Sequence, residues 1–387
     1  MEAALIAFVN YAAFTLLGLS AAGALYMVVA ALTLRRFFSR PIAHRPRRDG
    51  VTLLKPLHGV EPRLIDNLAT FLVLDHGGPV QLLCGVQRRD DPSIAAIEEL
   101  RARFPQARID LVIDPTPHGA NRKVSNLINL ERHIAHDAIV LSDSDIAVPQ
   151  DYLSTILTTL DQPNVGAVTL AYAGRGDAGC WSRLTAAGLS WQFLPGTIVG
   201  FAFGLARPCM GSTIALRRET LTAIGGFGAF ADILADDYAI GNAIAARGMT
   251  VAMSRILVTH ASAERNFREW WRHEVRWSAT VRDLVPLAHA ASVVSMPLPL
   301  ALLAVPLHPG LGTMVAICAL IARLWVVAVA DRLSGDRPAP LWLLPLRDCL
   351  TLAVFIAGMW VRSVDWRGSR LRMEEHGQIS AEPETLR

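Results

Sequence analysis

The sequence predicts an α/β domain set between membrane helices, and three observations predict it. Long uncharged runs lie towards both ends of the chain. Between them, short apolar segments alternate with helical stretches. Carboxylates recur where those segments or their loops end. Of 387 residues, 52% are hydrophobic and 18% charged, against roughly 25% charged in an ordinary soluble domain, so membrane spans are expected. The net charge of +3 implies no general attraction to nucleic acid. Cys84, Cys180, Cys209, Cys318 and Cys349 show no Cys-x-x-Cys spacing, which points away from zinc or a disulfide framework and towards a reducing compartment.

In chain order, residues 3–34 carry no charge and exceed the roughly 20 apolar residues that a bilayer requires. Residues 1–34 are therefore read as an anchor. Glu2 and the length of the run disfavour a cleaved signal peptide. Arg35, Arg36, Arg40, Arg45, Arg47 and Arg48 follow in a basic linker, 35–50, and mark that side as cytoplasmic. Across 51–262, candidate strands at 51–56, 80–86, 109–113, 138–141, 165–170 and 211–216 alternate with helical stretches at 93–104, 123–133 and 152–160. This pattern predicts a mostly parallel sheet covered on both faces. No Gly-x-Gly-x-x-Gly follows the first strand and no Walker loop is present, which fits poorly with a dinucleotide dehydrogenase or a P-loop NTPase.

Residues 263–283 form a basic amphipathic stretch. Phe267, Trp270, Trp271, Val275, Ser278 and Val281 fall on one side at helical spacing, as in a helix lying in the membrane interface. His273, Arg276 and Trp277 share another face. Residues 284–322 again lack Asp, Glu, Lys and Arg, and His308-Pro309-Gly310 breaks them, so a two-span hairpin is expected within 284–330. A third hydrophobic segment, 341–361, is interrupted by Arg347 and Asp348. Charges at membrane depth face protein or a cavity, and the segment reads as a span or a re-entrant loop. The tail, 362–387, carries Arg362, Arg367, Arg370 and Arg372, which favours a cytoplasmic C-terminus and so two full spans plus a re-entrant segment. Residues 374–387 read as a disordered end.

The chemistry centres on 138–147, where an apolar strand delivers Ser142, Asp143, Ser144 and Asp145 at its C-terminal end. Ligands of open α/β sheets bind there, and paired carboxylates suit a hard divalent cation that bridges phosphates. A solvated turn is the plain alternative for such a triplet. Three more elements point the same way: Asp90-Asp91, Asp236-Asp237 after Gly225-Gly226-Phe227-Gly228, and His273-x-x-Arg276-Trp277.

This order resembles the D, D, D, (Q/R)xxRW signature of family 2 glycosyltransferases with the GT-A fold, the Rossmann-like nucleotide-diphospho-sugar transferase fold. Within them it is most like the ceramide glucosyltransferase group. Three stretches carry that likeness: Leu54-Lys55-Pro56-Leu57-His58-Gly59-Val60-Glu61-Pro62, Asn121-Arg122-Lys123-Val124-Ser125-Asn126-Leu127 and Ala235-Asp236-Asp237-Tyr238. Inside the group the chain looks most like the bacterial hopanoid-associated glycosyltransferases. The resemblance implies a multi-pass enzyme of the bacterial cytoplasmic membrane, with its GT-A domain facing the cytoplasm and no nucleic-acid partner. It implies inverting transfer of N-acetylglucosamine from a UDP-sugar donor to the lipid acceptor bacteriohopanetetrol. The alternative is transfer of glucose from UDP-glucose to ceramide.

A divalent metal, Mg or Mn, is implied as cofactor. By the same resemblance Asp145 is the first metal ligand, with Asp143 beside it or holding the nucleotide. Asp90 and Asp91 contact the uracil or ribose, and Lys123 approaches the nucleotide or diphosphate. Asp237 is the general base, its pKa raised by Asp236. Arg276 offsets diphosphate charge and Trp277 walls the acceptor or sugar site. His273 stands where the family usually has Gln or Arg, and Arg88 stands where animal ceramide enzymes carry the first aspartate. Cys209 reads as buried packing rather than a nucleophile. A processive polysaccharide synthase would need more spans. A transporter or an inactive scaffold would not need carboxylates at three loop ends.

Overall fold

The computed structural model describes residues 1–40, 47–361, 363–366, 369–373 and 379–381. Arg45 of the basic linker, Arg362 and Arg367 of the tail, and most of the expected disordered end lie outside the described residues. The chain forms two compact units. One comprises Arg40–Ala173, Ala206–Ala263 and the tail from Asp365; the other comprises Met1–Ser39, Gly174–Leu205 and Glu264–Val364.

The first unit holds an eight-stranded mixed sheet. Its strands are β1 Val51–Pro56, β2 Val80–Val86, β3 Arg108–Ile113, β4 Ala138–Leu141, β5 Ile146–Ala147, β6 Val165–Gly176, β7 Ile214–Arg217 and β8 Thr250–Ser262, in the spatial order β3-β2-β1-β4-β7-β6-β8-β5. β3, β2, β1 and β4 run parallel. β7 pairs antiparallel with both β4 and β6, and β5 pairs antiparallel with β8. Every residue of β1 and β4 is buried, as expected of parallel strands covered on both faces.

The core forms where the helix Arg122–Glu131 lays Val124, Leu127 and Leu130 against Leu54, Leu83, Ile139, Leu141, Ile214 and Leu216. Asn121 caps that helix by accepting from the Val124 amide at 3.1 Å, satisfying a donor that the first turn leaves unpaired. Asn126 donates to the Gly85 carbonyl at 2.8 Å, and a Cβ on Gly85 would meet the Asn126 side chain at 2.3 Å. Helix and sheet therefore approach closely only because residue 85 has no side chain.

Several boundaries differ from the sequence expectation. β6 continues from Leu170 to Gly176 through the buried run Ala171-Tyr172-Ala173. The strand expected at 211–216 begins at Ile214 instead. Gly211 and Ser212 lie in the turn closed by the Met210 and Thr213 bridge, where the Gly211 backbone is bonded to Asp143 and Asp237.

The second unit is helical. Its candidate membrane spans among the described residues are Ala4–Phe38, Pro309–Ser334 and Leu341–Gly358. The first arm of the expected hairpin is not one straight span. It consists of Pro286–Ser295 and Pro297–Ala304, bent by 65°, because Pro297 and Pro299 lack the amide hydrogens that would continue the helix across Met296. The second arm runs past Arg323 to Ser334 and ends at Gly335, whose φ of 71° provides the left-handed cap.

Arg323 is accommodated by pairing. Its guanidinium meets both oxygens of Asp348 at 2.7 and 2.8 Å and donates to the Trp191 carbonyl at 2.8 Å. Arg347 pairs with Glu274 at 2.8 Å, so both charges that interrupt the third hydrophobic segment are turned onto protein. The segment Gly174–Leu205 groups with these helices rather than with the sheet, although the linear reading assigned it to the α/β domain. It is uncharged from Leu184 to Ala206, and the Trp191 indole donates to Asp331 at 2.7 Å.

The amphipathic helix runs Phe267–Leu284 and is capped by Asn266, which accepts from the Glu269 amide at 3.0 Å. Its buried residues are Trp270, Val275 and Ala279. Trp270 packs with Leu184 and Val354, so this aromatic is core and not a headgroup anchor. Asp348→Ala should cost about 3–5 kcal/mol by leaving Arg323 buried and unpaired, whereas Arg323→Met with Asp348→Leu should recover most of that loss. Thermal unfolding in detergent reads both.

Candidate active site

β4 ends at Leu141, and the turn that follows is clamped from three sides. Lys55 on β1 donates to the Ser142 hydroxyl at 2.9 Å and to the Asp143 carbonyl at 2.8 Å. Its ammonium also lies 3.5 Å from the centre of the Phe71 ring, a cation–π contact. Burial pushes its pKa down to about 7, against the pull of Asp143 and Asp145. Ser144 donates to Glu61 at 3.0 Å. The Asp143 amide donates to the Gly211 carbonyl at 3.3 Å. The turn thus presents its aspartates from a fixed backbone.

Asp143, Lys123, Asp236 and Asp237 form one network, with Lys123 and Asp236 buried and Asp143 and Asp237 half-buried. Lys123 Nζ lies 2.9 Å from Asp143 and 3.2 Å from Asp236. Burial opposes its charge, but Asp143, Asp236 and Asp237 together hold its pKa well above that of a free lysine. Asp237 accepts from the Gly211 amide at 2.9 Å and from the Tyr238 amide at 2.8 Å. Burial, then the charge of Asp236, raise the Asp237 carboxyl to about 6. Burial likewise raises Asp236. The like-charge effect expected of this pair is therefore present, but desolvation is the larger cause.

Asp145 lies at the entrance to β5. The β5–β8 register sets Ile146 opposite His260, which brings His260 Nε2 to 3.4 Å from Asp145 Oδ2. The His260 ring stacks on Tyr172 at 5.3 Å. Asp145 Oδ1 is buried and makes no hydrogen bond among the described residues. A buried carboxylate oxygen without a donor is the state a cation relieves. Among the described residues no three His, Cys, Asp or Glu side chains form a metal cage, so a metal here would draw further oxygen ligands from its substrate or water. The residues fit a cation shared with a phosphate.

The Asp90-Asp91 pair lies apart from this network and divides in role. Asp90 is exposed and forms a fork with Arg88 at 2.6 and 2.9 Å. Asp91 is buried and accepts from the Gly59 amide, the Ser93 amide and the Ser93 hydroxyl at 2.6–3.2 Å. It ties the loop after β1 to the start of the helix Ser93–Arg103. Burial would raise its pKa, but those bonds hold it below the usual range.

His273, Arg276 and Trp277 share the helix Phe267–Leu284 of the helical unit. The imidazole meets the Trp277 ring edge to face at 4.8 Å, and Phe193 lies 6.3 Å from the same indole. His273 Nδ1 is bonded to Glu264.

Sequence reasoning assigned no role to Lys55, His260, Gly211 or Glu264. Lys55 lies inside a quoted motif, and a lysine in an otherwise apolar strand was the available signal. The other three had none, because pairing register and backbone proximity decide their positions.

A mixed α/β sheet with this acidic network beyond β4, in a chain that also carries helices apolar and long enough to cross a membrane, is the arrangement against which relatives are compared. Residues 15–379 match the family described as Glycosyl transferase family 21, and the chain belongs to that family; the motif order had pointed to family 2. The chain is 25% identical over 240 residues to Ceramide glucosyltransferase 1 of Caenorhabditis elegans, covering 60% of this chain and 50% of that protein. It is 26% identical over 222 residues to Ceramide glucosyltransferase 3 of the same organism, covering 54% and 47%. The chain thus spans about half the length of the curated relatives it matches.

Among solved structures it is similar to the mannosyltransferase PcManGT from Pyrobaculum calidifontis in complex with GDP-Man and Mn2+. The TM-score is 0.51 at 19% identity, with 91% of this chain and 99% of that one covered. That likeness supports the glycosyltransferase fold of the GT-A kind.

Gly211→Ala tests the network directly. The added Cβ would lie 2.9 Å from Asp143 and 3.2 Å from Lys123 Nζ. On the function proposed below, the substitution should weaken UDP binding at least about 10-fold, roughly 1.4 kcal/mol, with little change in thermal unfolding. Titration calorimetry with UDP and Mn reads it.

Proposed function

We propose that this chain is a membrane-bound inverting glycosyltransferase that passes a hexose from a UDP-sugar to a hydroxyl of a lipid. The observation that carries the reading is the Asp143–Lys123–Asp236 network around a buried ammonium, with Asp237 bonded beside it at Gly211. Family membership and the three candidate spans support it.

Asp237 is the proposed general base. A carboxyl raised to about 6 is ionised at neutral pH yet basic enough to take a proton from an alcohol in the transition state. Direct attack by that alcohol would invert the anomeric centre. Lys123 holds Asp143 and Asp236 in place and offsets their charge. Asp145, with Asp143 near it, would hold Mg or Mn, which when bound offsets charge on the departing diphosphate. Asp91 orders the loop after β1 as a wall for the nucleoside, with Asp90 exposed at its rim. Arg276 is the proposed cation for the diphosphate and Trp277 the proposed wall of the acceptor or sugar site.

For the substrates, the motifs serve either lipid equally, and the resemblance to hopanoid-associated glycosyltransferases favours UDP-N-acetylglucosamine and bacteriohopanetetrol, at the cytoplasmic face of a bacterial inner membrane. The second reading, UDP-glucose with ceramide, is favoured by the names of the two nematode relatives. The test is UDP release by the purified protein in lipid nanodiscs, with each donor against each acceptor, and with and without chelator. Metal-dependent transfer to the hopanoid alone supports the first reading, and transfer to ceramide supports the second. A folded protein that binds no UDP refutes both.

Asp237→Asn should lower kcat at least about 100-fold while UDP binding persists. In the wild type, kcat should fall as pH drops below about 6, because the raised Asp237 carboxyl then takes up the proton that disables it as a base. A pH–kcat profile reads this limb, which belongs to the Asp236–Asp237 pair as a unit.

A further inference from the structure

The motif position occupied by His273 calls for Gln or Arg, so this chain must make an imidazole serve there. A neutral imidazole carries one donor and one acceptor, and its surroundings decide which nitrogen is which. Glu264, in the segment between β8 and the amphipathic helix, reaches His273 Nδ1 with Oε1. Glu264 is only 9% exposed. Burial would raise its pKa, but the hydrogen bond from His273, helped by Thr185, leaves it lowered. An ionised carboxylate can only accept, so Nδ1 must hold the proton and Nε2 is the nitrogen left for a ligand. Trp277, one helical turn on, meets the ring edge to face at 4.8 Å. Tautomer and ring plane are thus both set within this unit.

We propose that Glu264 is a positioning residue for the transfer reaction: it fixes the tautomer and orientation of His273 and so adapts a histidine to the Gln or Arg position of the motif. The inference rests on the glycosyltransferase reading above. Glu264 does not touch the reacting atoms; it acts through the imidazole, as the carboxylate of a catalytic triad does.

The test is a double-mutant cycle on the purified protein in nanodiscs, reading kcat, the UDP-sugar KM and thermal unfolding. Glu264→Gln keeps the size of the side chain but can offer an N–H to Nδ1. It should lower kcat about 10-fold or more with the donor KM within about twofold. His273→Gln restores the motif's usual residue and should lower kcat but leave it measurable, as the reference background of the cycle. In that background Glu264→Gln should change kcat by less than about twofold, since the group it positions is gone. Glu264→Asp, again acceptor-only, should keep more activity than Glu264→Gln, and it replaces that variant in the cycle should Glu264→Gln not fold.

Equal losses in both backgrounds would make Glu264 a structural residue and overturn the proposal. So would an unaffected Glu264→Gln, or an inactive but folded His273→Gln. An inactive, UDP-free wild type would instead remove the functional reading and this proposal with it, whereas an active wild type insensitive to Glu264→Gln removes only this proposal.

Discussion

The α/β unit depends on one buried charge. The Lys123 ammonium lies between Asp143 and Asp236, and neither sign would be stable there alone. Removing an ion from water costs several kcal/mol unless a partner is in place. The arrangement ties together the turn after β4, the start of the helix Arg122–Glu131 and the start of the helix Asp236–Ala245. Asn121 reinforces it from behind, donating to the Ile233 carbonyl at 2.7 Å, while Gly119 backs so closely on Ala231 that a Cβ would meet its carbonyl at 2.5 Å. The proposed base, Asp237, takes its raised pKa from the desolvation that this packing creates.

The helical unit follows the same rule in apolar surroundings. Apolar side chains pack without strong preference for register, so the polar pairs do the specifying. Arg323 selects Asp348, Arg347 selects Glu274 and Trp191 selects Asp331. Each pair joins segments distant in sequence. The segment Gly174–Leu205, uncharged from Leu184 onward, is drawn into this unit in the same way, through Trp191 and through Gln192, whose amide donates to Ser295 at 3.1 Å.

Membership of Glycosyl transferase family 21 gives these arrangements a common purpose in the proposed reading. A glycolipid-forming enzyme must hold a highly charged leaving group and an apolar acceptor. Carboxylates beyond parallel strands suit the first need, and helices that expose Phe, Leu and Trp side chains suit the second. The choice of sugar and lipid lies in finer chemistry than either of these.

Much of the fold was legible in order. The apolar runs at Val51–Pro56, Val80–Val86 and Ala138–Leu141 and the helix Tyr152–Leu160 coincide with the expected elements, because each is a local pattern bounded by turn residues. The acidic residues could be listed from their motifs, but their partners could not. Lys123 was expected to approach the nucleotide or diphosphate, but nothing near it in sequence announces its enclosure, which comes from residues 20 and 113 positions away. Lys55, His260 and Glu264 gained their places from strand pairing and from one side-chain bond. The bend at Met296 and the continuation of a membrane helix through Arg323 were hidden for a related reason, since a charge in an apolar run reads as a boundary until its counter-ion is known. By itself the sequence determined the segments and the kinds of chemistry they carry, since hydrophobic period and residue type act locally. The tertiary structure decided which carboxylate keeps an unbonded oxygen, which is paired with a lysine and which is raised, because desolvation and charge pairing depend on neighbours that are distant along the chain.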